Sequence, residues 1–367
     1  MRIFLATVFV FFLLPNLYGK CGSQNFFDLS SATVLKIESQ QMMLLDGCGF
    51  TVGKIWVRMS NNTRTIPADK VRILSDELAV AQIPFVDVIP TFISVGAPYL
   101  SSRAVPLEDW PDNSPMPSFM GIGLVSGVSF KPESLSPGAV ASLFGENFSN
   151  LIQAADSLCC TYILPKMLAG VEVFYDDGHV GLFYAGPNQI NFLVPLEAYE
   201  LDVRYVSVVI TGPDGLKYFV DEAPLQTLPT TPRTFMYSEG YGLKPVVVDN
   251  DWNLVNNDNP LNPSEYFVVI MTGLGKVEPH VQSGHLAPFE PLARTVNDFV
   301  LTVNGIKVEV LYAGLMPGFA GVYQVNAQMP DSVGLGNVKV EVVAKNQVPS
   351  EKSSFVLPVA NPKLIRE

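Results

Sequence analysis

The feature that most limits what this chain can fold into is an internal repeat. Val300 to Pro330 reads VLTVNGIKVEVLYAGLMPGFAGVYQVNAQMP, and a shortened echo, VEVFYDDGHVGLFYAGPNQINFLVP, runs from Val171 to Pro195. Both copies carry Tyr-Ala-Gly, at Tyr184, Ala185 and Gly186 and at Tyr312, Ala313 and Gly314. Both close on Gln-x-Asn-x-x-x-Pro, at Gln189, Asn191 and Pro195 and at Gln324, Asn326 and Pro330. A repeat of this kind is one supersecondary unit used twice. Within each copy apolar residues alternate along short runs, the period of a half-buried strand. Asp177-Gly178 and Asn304-Gly305 separate such runs, and Gly accepts the positive φ of a tight hairpin.

The pattern extends outward from the repeat. Val203 to Ile210 is a strand that ends at Thr211-Gly212-Pro213-Asp214-Gly215, and Tyr266 to Met271 is another that ends at Thr272-Gly273. Each copy sits among about seven short strands over roughly 100 residues, with frequent turn signals, which describes a β-sandwich. The 28 Gly and 29 Pro are spread along the chain and leave no room for long amphipathic helices between strands. The expected fold class is therefore all-β: tandem immunoglobulin-like β-sandwiches with an additional N-terminal β-rich region. The expected boundaries are a sandwich over 121–223, a Pro- and Thr-rich junction over 224–232, a second sandwich over 233–358 and a tail over 359–367. Residues 101–120, with Pro106, Pro111, Pro115 and Pro117, read as a linker. In residues 20–100, Thr33 to Ile37, Gln41 to Leu45, Gly53 to Met59 and Val71 to Leu74 read as strands, and Asp76 to Ala81 as a helical turn.

Composition bounds the setting. A formal charge of -12 lacks the positive footprint of a nucleic-acid binder. Residues 1–19 have Arg2, an apolar run from Ile3 to Leu14 and then Pro15, the layout of a signal peptide, too short for an ordinary transmembrane helix. No later segment reads as a span. The expected location is secreted or extracytoplasmic, in the periplasm or on the outer surface, where disulfides form. Of the four cysteines, Cys21 and Cys48 would staple the N-terminal region, while Cys159 and Cys160 are adjacent and a bond between them would be strained.

Residues about 126 to 358 resemble the paired immunoglobulin-like domain of large acidobacterial (Solibacter-type) secreted proteins. The matching residues are Gly145, Asn147 and Phe148; Gln189, Ile190, Asn191, Val194 and Pro195; Thr272 to Gly275; and Tyr312, Ala313, Gly314, Pro317, Gly318, Tyr323, Gln324, Val325, Asn326 and Pro330. The resemblance implies two β-sandwiches and an envelope or extracellular location, and it carries over no catalytic residue. One departure stands out: where the family loop reads Asp-Gly, this chain has Asp251-Trp252.

Candidate sites are few. Trp110, Trp252 and Tyr241 fall in loop-like stretches and could stack on a sugar or a peptide. Asp249, Asp251 and Asn253 alternate, with Asp258 following, so their oxygens could converge on calcium, but the central Gly and terminal Glu of an EF-hand are missing. Beyond calcium no cofactor is expected. The Gln and Asn of the repeat are expected to satisfy backbone groups of a neighbouring loop. No Gly-x-Ser-x-Gly elbow and no His-Glu-x-x-His pair is present. The first reading is a noncatalytic adhesion, scaffolding or protein-interaction protein. The alternative is a carbohydrate-binding accessory module, and a hydrolase using the N-terminal region ranks third. The expected partner is an extracellular or envelope protein, or a glycan.

Overall fold

The computed structural model describes residues 27–35, 41–59, 65–67, 70–83, 92–98, 100–102, 104–111, 113–155, 163–240, 242–345 and 352–360. The expected signal peptide, Cys21, Cys159, Cys160, Tyr241 and the last seven residues of the expected tail lie outside them. Regular structure among the described residues is β apart from short 3-10 stretches, such as Phe50–Val52. The chain forms two compact units, Met1–Asp109 and Trp110–Glu367.

The first unit is one nine-stranded sheet. Its order runs Thr65–Ile66, Trp56–Met59, Phe92–Ala97, Val105–Asp109, Asp28–Leu35, Gln41–Cys48, Leu78–Ile83 and Val71–Ile73, with Leu100–Ser101 paired to Phe92–Ala97. Met43 and Leu45 from one half share an apolar core with Val57, Met59 and Ile93 from the other. The helical turn expected from Asp76 to Ala81 is instead a strand from Leu78. It pairs along Gln41–Cys48, and both faces are buried: Ala79 and Ala81 on one side, Leu78 and Val80 on the other. A strand buried on both faces has no alternation to read. Asp76 closes the preceding loop, accepting the Thr51 hydroxyl at 2.5 Å. The stretch expected as a linker carries strands at both ends. Val105–Asp109 pairs in parallel with Asp28–Leu35, and Ser118–Ser126 belongs to the second unit. Cys48 is disulfide-bonded.

The second unit holds the two sandwiches. In the first, the sheet Ser118–Ser126, Val140–Glu146, Gln189–Leu193, Leu182–Ala185, Gln153–Ala154 faces the sheet Met167–Leu168, Val171–Tyr175, Val203–Thr211, Lys217–Gln226. In the second, the sheet Arg233–Thr234, Tyr266–Thr272, Tyr323–Gln328, Val310–Leu315, Arg294–Thr295, Val277–Glu278 faces Ile306–Val308, Phe299–Val303, Gly336–Ala344, Lys352–Val359. The repeat is a structural duplicate. In each copy a strand of one sheet leads into a strand of the other that carries Tyr-Ala-Gly, and this hairpins with the Gln-x-Asn strand. Asn304 and Gly305 take φ 47° and 81°, as a type I′ turn requires. The first copy turns at the expected Asp176-Asp177-Gly178, with Asp176 rather than the glycine taking the positive φ and Gly178 already paired with Tyr175.

Strand alternation explains both motifs. Tyr and Gly two apart share a face. A Cβ on Gly314 would lie 2.4 Å from the Tyr312 hydroxyl, and one on Gly186 would lie 2.6 Å from that of Tyr184. Each ring thus lies over its glycine, which no other residue could replace without moving the ring. Gln and Asn occupy the outward positions between buried Tyr323, Val325 and Ala327. Their amides do not serve a neighbouring loop as expected. In the first copy Asn191 Oδ1 accepts from Gln189 at 2.8 Å and from the Ser142 hydroxyl at 2.9 Å, across the pairing of Ser142 with Asn191. In the second copy Val268 stands opposite Asn326, and the buried Asn326 Oδ1 has no partner among the described residues.

The sandwiches meet through a buried polar junction. Thr272, 1% exposed, accepts the Val140 amide at 3.1 Å, and its hydroxyl lies 3.1 Å from the Gly321 carbonyl. Thr231 accepts the Ser136 amide at 3.0 Å. Tyr323 is fully buried and donates to the Gly275 carbonyl at 2.6 Å; burial pushes its phenol up, so it stays protonated. A Cβ on Gly138 would meet that hydroxyl at 2.0 Å, and Gly138 has φ 75°, so only glycine fits. Leu196 of the first sandwich lies in the core of the second. Arg233 grips Glu133 with two bonds, 3.0 and 2.6 Å. Burial pushes the Glu133 carboxyl up, and Arg233 and Ser129 more than offset this, holding it below the ordinary Glu value.

Two substitutions test the amide account. Val268→Thr gives Asn326 the hydroxyl its counterpart has and should stabilise the protein by about 1 kcal/mol; Ser142→Ala should destabilise it by about as much. Chemical denaturation reads both, and a destabilising Val268→Thr would contradict the pairing.

Candidate functional site

The residues leading into the first sandwich build a cleft at its edge. Trp110 packs edge-on against Tyr218, centroids 4.8 Å apart and planes at 77°, and its indole N–H donates to the Ser114 carbonyl at 3.2 Å. That bond holds the Pro-rich segment in a turn closed by Ser114 N to Pro111 O. The opposite wall is the Gly-x-Asn-Phe turn after Val140–Glu146. Gly145 is needed because a Cβ there would lie 2.2 Å from the Ser118 carbonyl. Asn147 has φ 57°, a conformation Asn tolerates better than most residues, and its amide donates to the Met116 carbonyl at 2.9 Å. Phe148 turns into the core against Phe119. Ser149 donates to the Ala169 carbonyl at 2.7 Å and closes the floor.

The resulting cleft has a volume of about 430 Å³, within the range of small-molecule sites. Trp110, Pro115, Leu151 and Ile210 supply apolar wall, and Asn147 and Asn150 supply amides. None of its lining residues is Asp, Glu, His, Lys, Arg, Cys or Tyr. A wall without an ionisable group has nothing to serve as general acid or base. It does offer an indole ring, amides, hydroxyls and backbone groups, the set that recognises an uncharged polar ligand.

Trp252 is placed elsewhere, on the loop of the second sandwich that follows Val247–Asp249. The loop is tied from inside by Asp249. Its Oδ1 accepts the Asp251 and Asn253 amides, both at 2.9 Å, and its Oδ2 accepts the Asn259 side chain at 2.9 Å. Burial pushes the Asp249 carboxyl up, and these donors more than offset it, so it lies below the ordinary Asp value. A carboxylate ringed by N–H donors presents the opposite polarity to a cation site. Asp258 is used differently, its amide donating to Asn256 at 2.9 Å. Among the described residues no group of three or more His, Cys, Asp or Glu side chains could hold a metal. Trp252 itself is 57% exposed and has φ 63°. That conformation favours Gly, so Trp is strained in holding it.

The candidates thus fall apart in space: Trp110 lines a cleft of the first sandwich, Trp252 stands on a loop of the second, and Tyr241 lies outside the described residues. Asn147, Asn150 and Leu151 were missed as site residues. Gly145, Asn147 and Phe148 stand out in the sequence through the family resemblance, and the closure of their turn on the Trp110 segment depends on a contact 31 residues away. Titratable clusters elsewhere are structural. Glu172 has His179 Nε2 at 3.0 Å and Lys217 Nζ at 2.5 Å, and it does not line the cleft. His280 pairs with Glu197 at 3.2 Å on an exposed surface. No helix among the described residues is long and apolar enough to cross a membrane.

Trp252→Gly should relieve the backbone and stabilise the protein by about 1 kcal/mol. Thermal denaturation measures this, and a loss of stability would mean the indole packs more than its exposure indicates.

No protein-family model matches the chain, and no curated protein matches it. Among solved structures it is similar to the surface glycan-binding protein SGBP-B of the Bacteroides ovatus mixed-linkage glucan utilization locus, in complex with a mixed-linkage heptasaccharide. The identity is 10% and the TM-score 0.28, over 95% of this chain and 69% of that one. It is similar to the surface glycan-binding protein PbSGBP-B from Prevotella bryantii at 12% identity and TM-score 0.17, over 66% of this chain and 42% of that one. It is similar to the D00-D0 domain of intimin at 9% identity and TM-score 0.19, over 67% of this chain and all of that domain. Scores this low do not establish that two chains share an arrangement of domains.

Proposed function

We propose that this protein is a noncatalytic, extracytoplasmic glycan-binding protein, and that the cleft beside Trp110 takes an uncharged saccharide. The observation that carries the reading is the wall of that cleft: an indole, two asparagines and hydroxyl groups with no ionisable side chain. Sugars present flat apolar faces rimmed by hydroxyls, so an aromatic ring flanked by amides matches both parts. The family reading, a secreted protein of the acidobacterial type, belongs to this proposal and rests on the Tyr-Ala-Gly and Gln-x-Asn motifs.

A second reading, protein interaction at the surface, draws on a different feature. Phe289 is 79% exposed and Phe319 48% exposed, on loops joined by Ala287 N to Phe319 O and Gly318 N to Ala287 O. Large aromatic side chains of this kind are favoured at protein interfaces.

A neutral-glycan array separates the two. The full chain should bind at least one neutral oligosaccharide, and Asn150→Ala and Trp110→Ala should each weaken it about tenfold. Trp252→Gly should leave that binding unchanged. No neutral glycan bound, or loss on Trp252→Gly with both cleft variants unaffected, would remove the site from the cleft.

A further inference from the structure

A second cleft lies on the repeat itself, in the second sandwich, with a volume of about 370 Å³. Its chemistry is opposite to that of the first. Three of its 12 lining residues, Arg294, Lys307 and Lys345, are cationic, in a chain with only 23 Lys and Arg among 367 residues and a net charge of -12. Positive charge is therefore concentrated here against the sign of the whole molecule.

The cations are held differently. Lys345 is paired, its Nζ 3.3 Å from Asp298 Oδ2 and its amide donating to the Asp298 carbonyl at 2.8 Å. Arg294 lies with its guanidinium carbon 4.9 Å over the Tyr312 ring. That ring is fixed in turn, because the Tyr312 hydroxyl sits 2.9 Å from the Leu315 carbonyl and 3.1 Å from that of Ala293. A guanidinium over a fixed ring is held in place by the ring face and keeps N–H donors for an acceptor. Among the described residues, Arg294 and Lys307 have no ion-pair partner. With Lys345 and Asp298 set aside as a pair, Arg294 and Lys307 stand with Glu309, leaving one net positive charge. That complements a single oxyanion. Val308, Val310 and Ala313 line the same cleft and give a ring an apolar wall.

We propose that this cleft is a second binding site, for an acidic sugar residue bearing one carboxylate or sulfate ester. It extends the glycan-binding reading to a charged ligand but uses no residue of the Trp110 cleft. Guanidinium and ammonium groups recognise both oxyanions, Arg by a two-pronged bond and Lys as a point charge.

The test is calorimetric titration of the full chain with three probes: tetragalacturonate, a carrageenan tetrasaccharide and neutral cellotetraose. At least one acidic probe should bind, and its affinity should fall about tenfold in roughly 0.5 M NaCl. Which acidic probe binds distinguishes carboxylate from sulfate. Lys307→Gln and Arg294→Gln should each weaken that binding about tenfold, while Trp110→Ala leaves it unchanged. Lys307 is exposed and carries the test if Arg294→Gln fails to fold. No binding of either acidic probe overturns the proposal, as does binding that ignores both substitutions or is displaced by cellotetraose. Failure here with a neutral glycan still bound at the Trp110 cleft leaves the first reading intact; loss of neutral binding with acidic binding retained does the reverse.

Discussion

The Thr272 hydroxyl is the contact on which the second unit depends. It lies at the end of a central strand of the second sandwich and accepts the Val140 amide, which begins a central strand of the first. Thr272 is buried, so a mismatch would leave a buried polar group unsatisfied at roughly 1–3 kcal/mol. Around it Gly138, Gly321 and Tyr323 approach so closely that their identities are set by space. The Pro- and Thr-rich segment between the sandwiches is therefore not a flexible connector. Thr227, Thr230 and Thr231 are buried within it, and Thr227 and Thr231 bond backbone groups of the first sandwich. The two sandwiches belong to one compact unit and are joined through this buried junction.

That arrangement gives duplication a physical use. The repeated hairpin builds the same cross-sheet step in both sandwiches, with the Tyr ring over Gly and amides on the outer face. The copies then diverge. Ser142 becomes Val268, at the expense of one unsatisfied amide oxygen. Tyr312 acquires Arg294 on its face and becomes the floor of a charged cleft. The neutral cleft of the first sandwich is built instead from its entry segment and the turn at Asn147. Duplicated framework and different edges are how one fold presents two surfaces.

Much of this was legible in the chain. Asn304-Gly305 named its turn, and the repeat named two sandwiches, because both are local patterns of period two and of positive φ. In the turn at Asp176-Asp177-Gly178 the positive φ falls on Asp176 and not on the glycine, because Asp can occupy the left-handed region and free the glycine for the strand. The N-terminal sheet was least legible. Its parallel pairing joins Ala32 with Leu107, and its strand at Leu78–Ile83 is buried on both faces, so neither neighbourhood nor alternation marks it. Trp110 was singled out as a loop aromatic, whereas Asn147 and Asn150 gained meaning only when the fold brought them beside it.

The most direct test of the account is native-state hydrogen exchange on the amides of Val140–Glu146 and Tyr266–Thr272. If the junction makes one body, both strands exchange through a common opening with the same free energy, and Thr272→Val separates them. If the first sandwich opens in the unsubstituted protein while Tyr266–Thr272 stays protected, the sandwiches are independent and the account is contradicted.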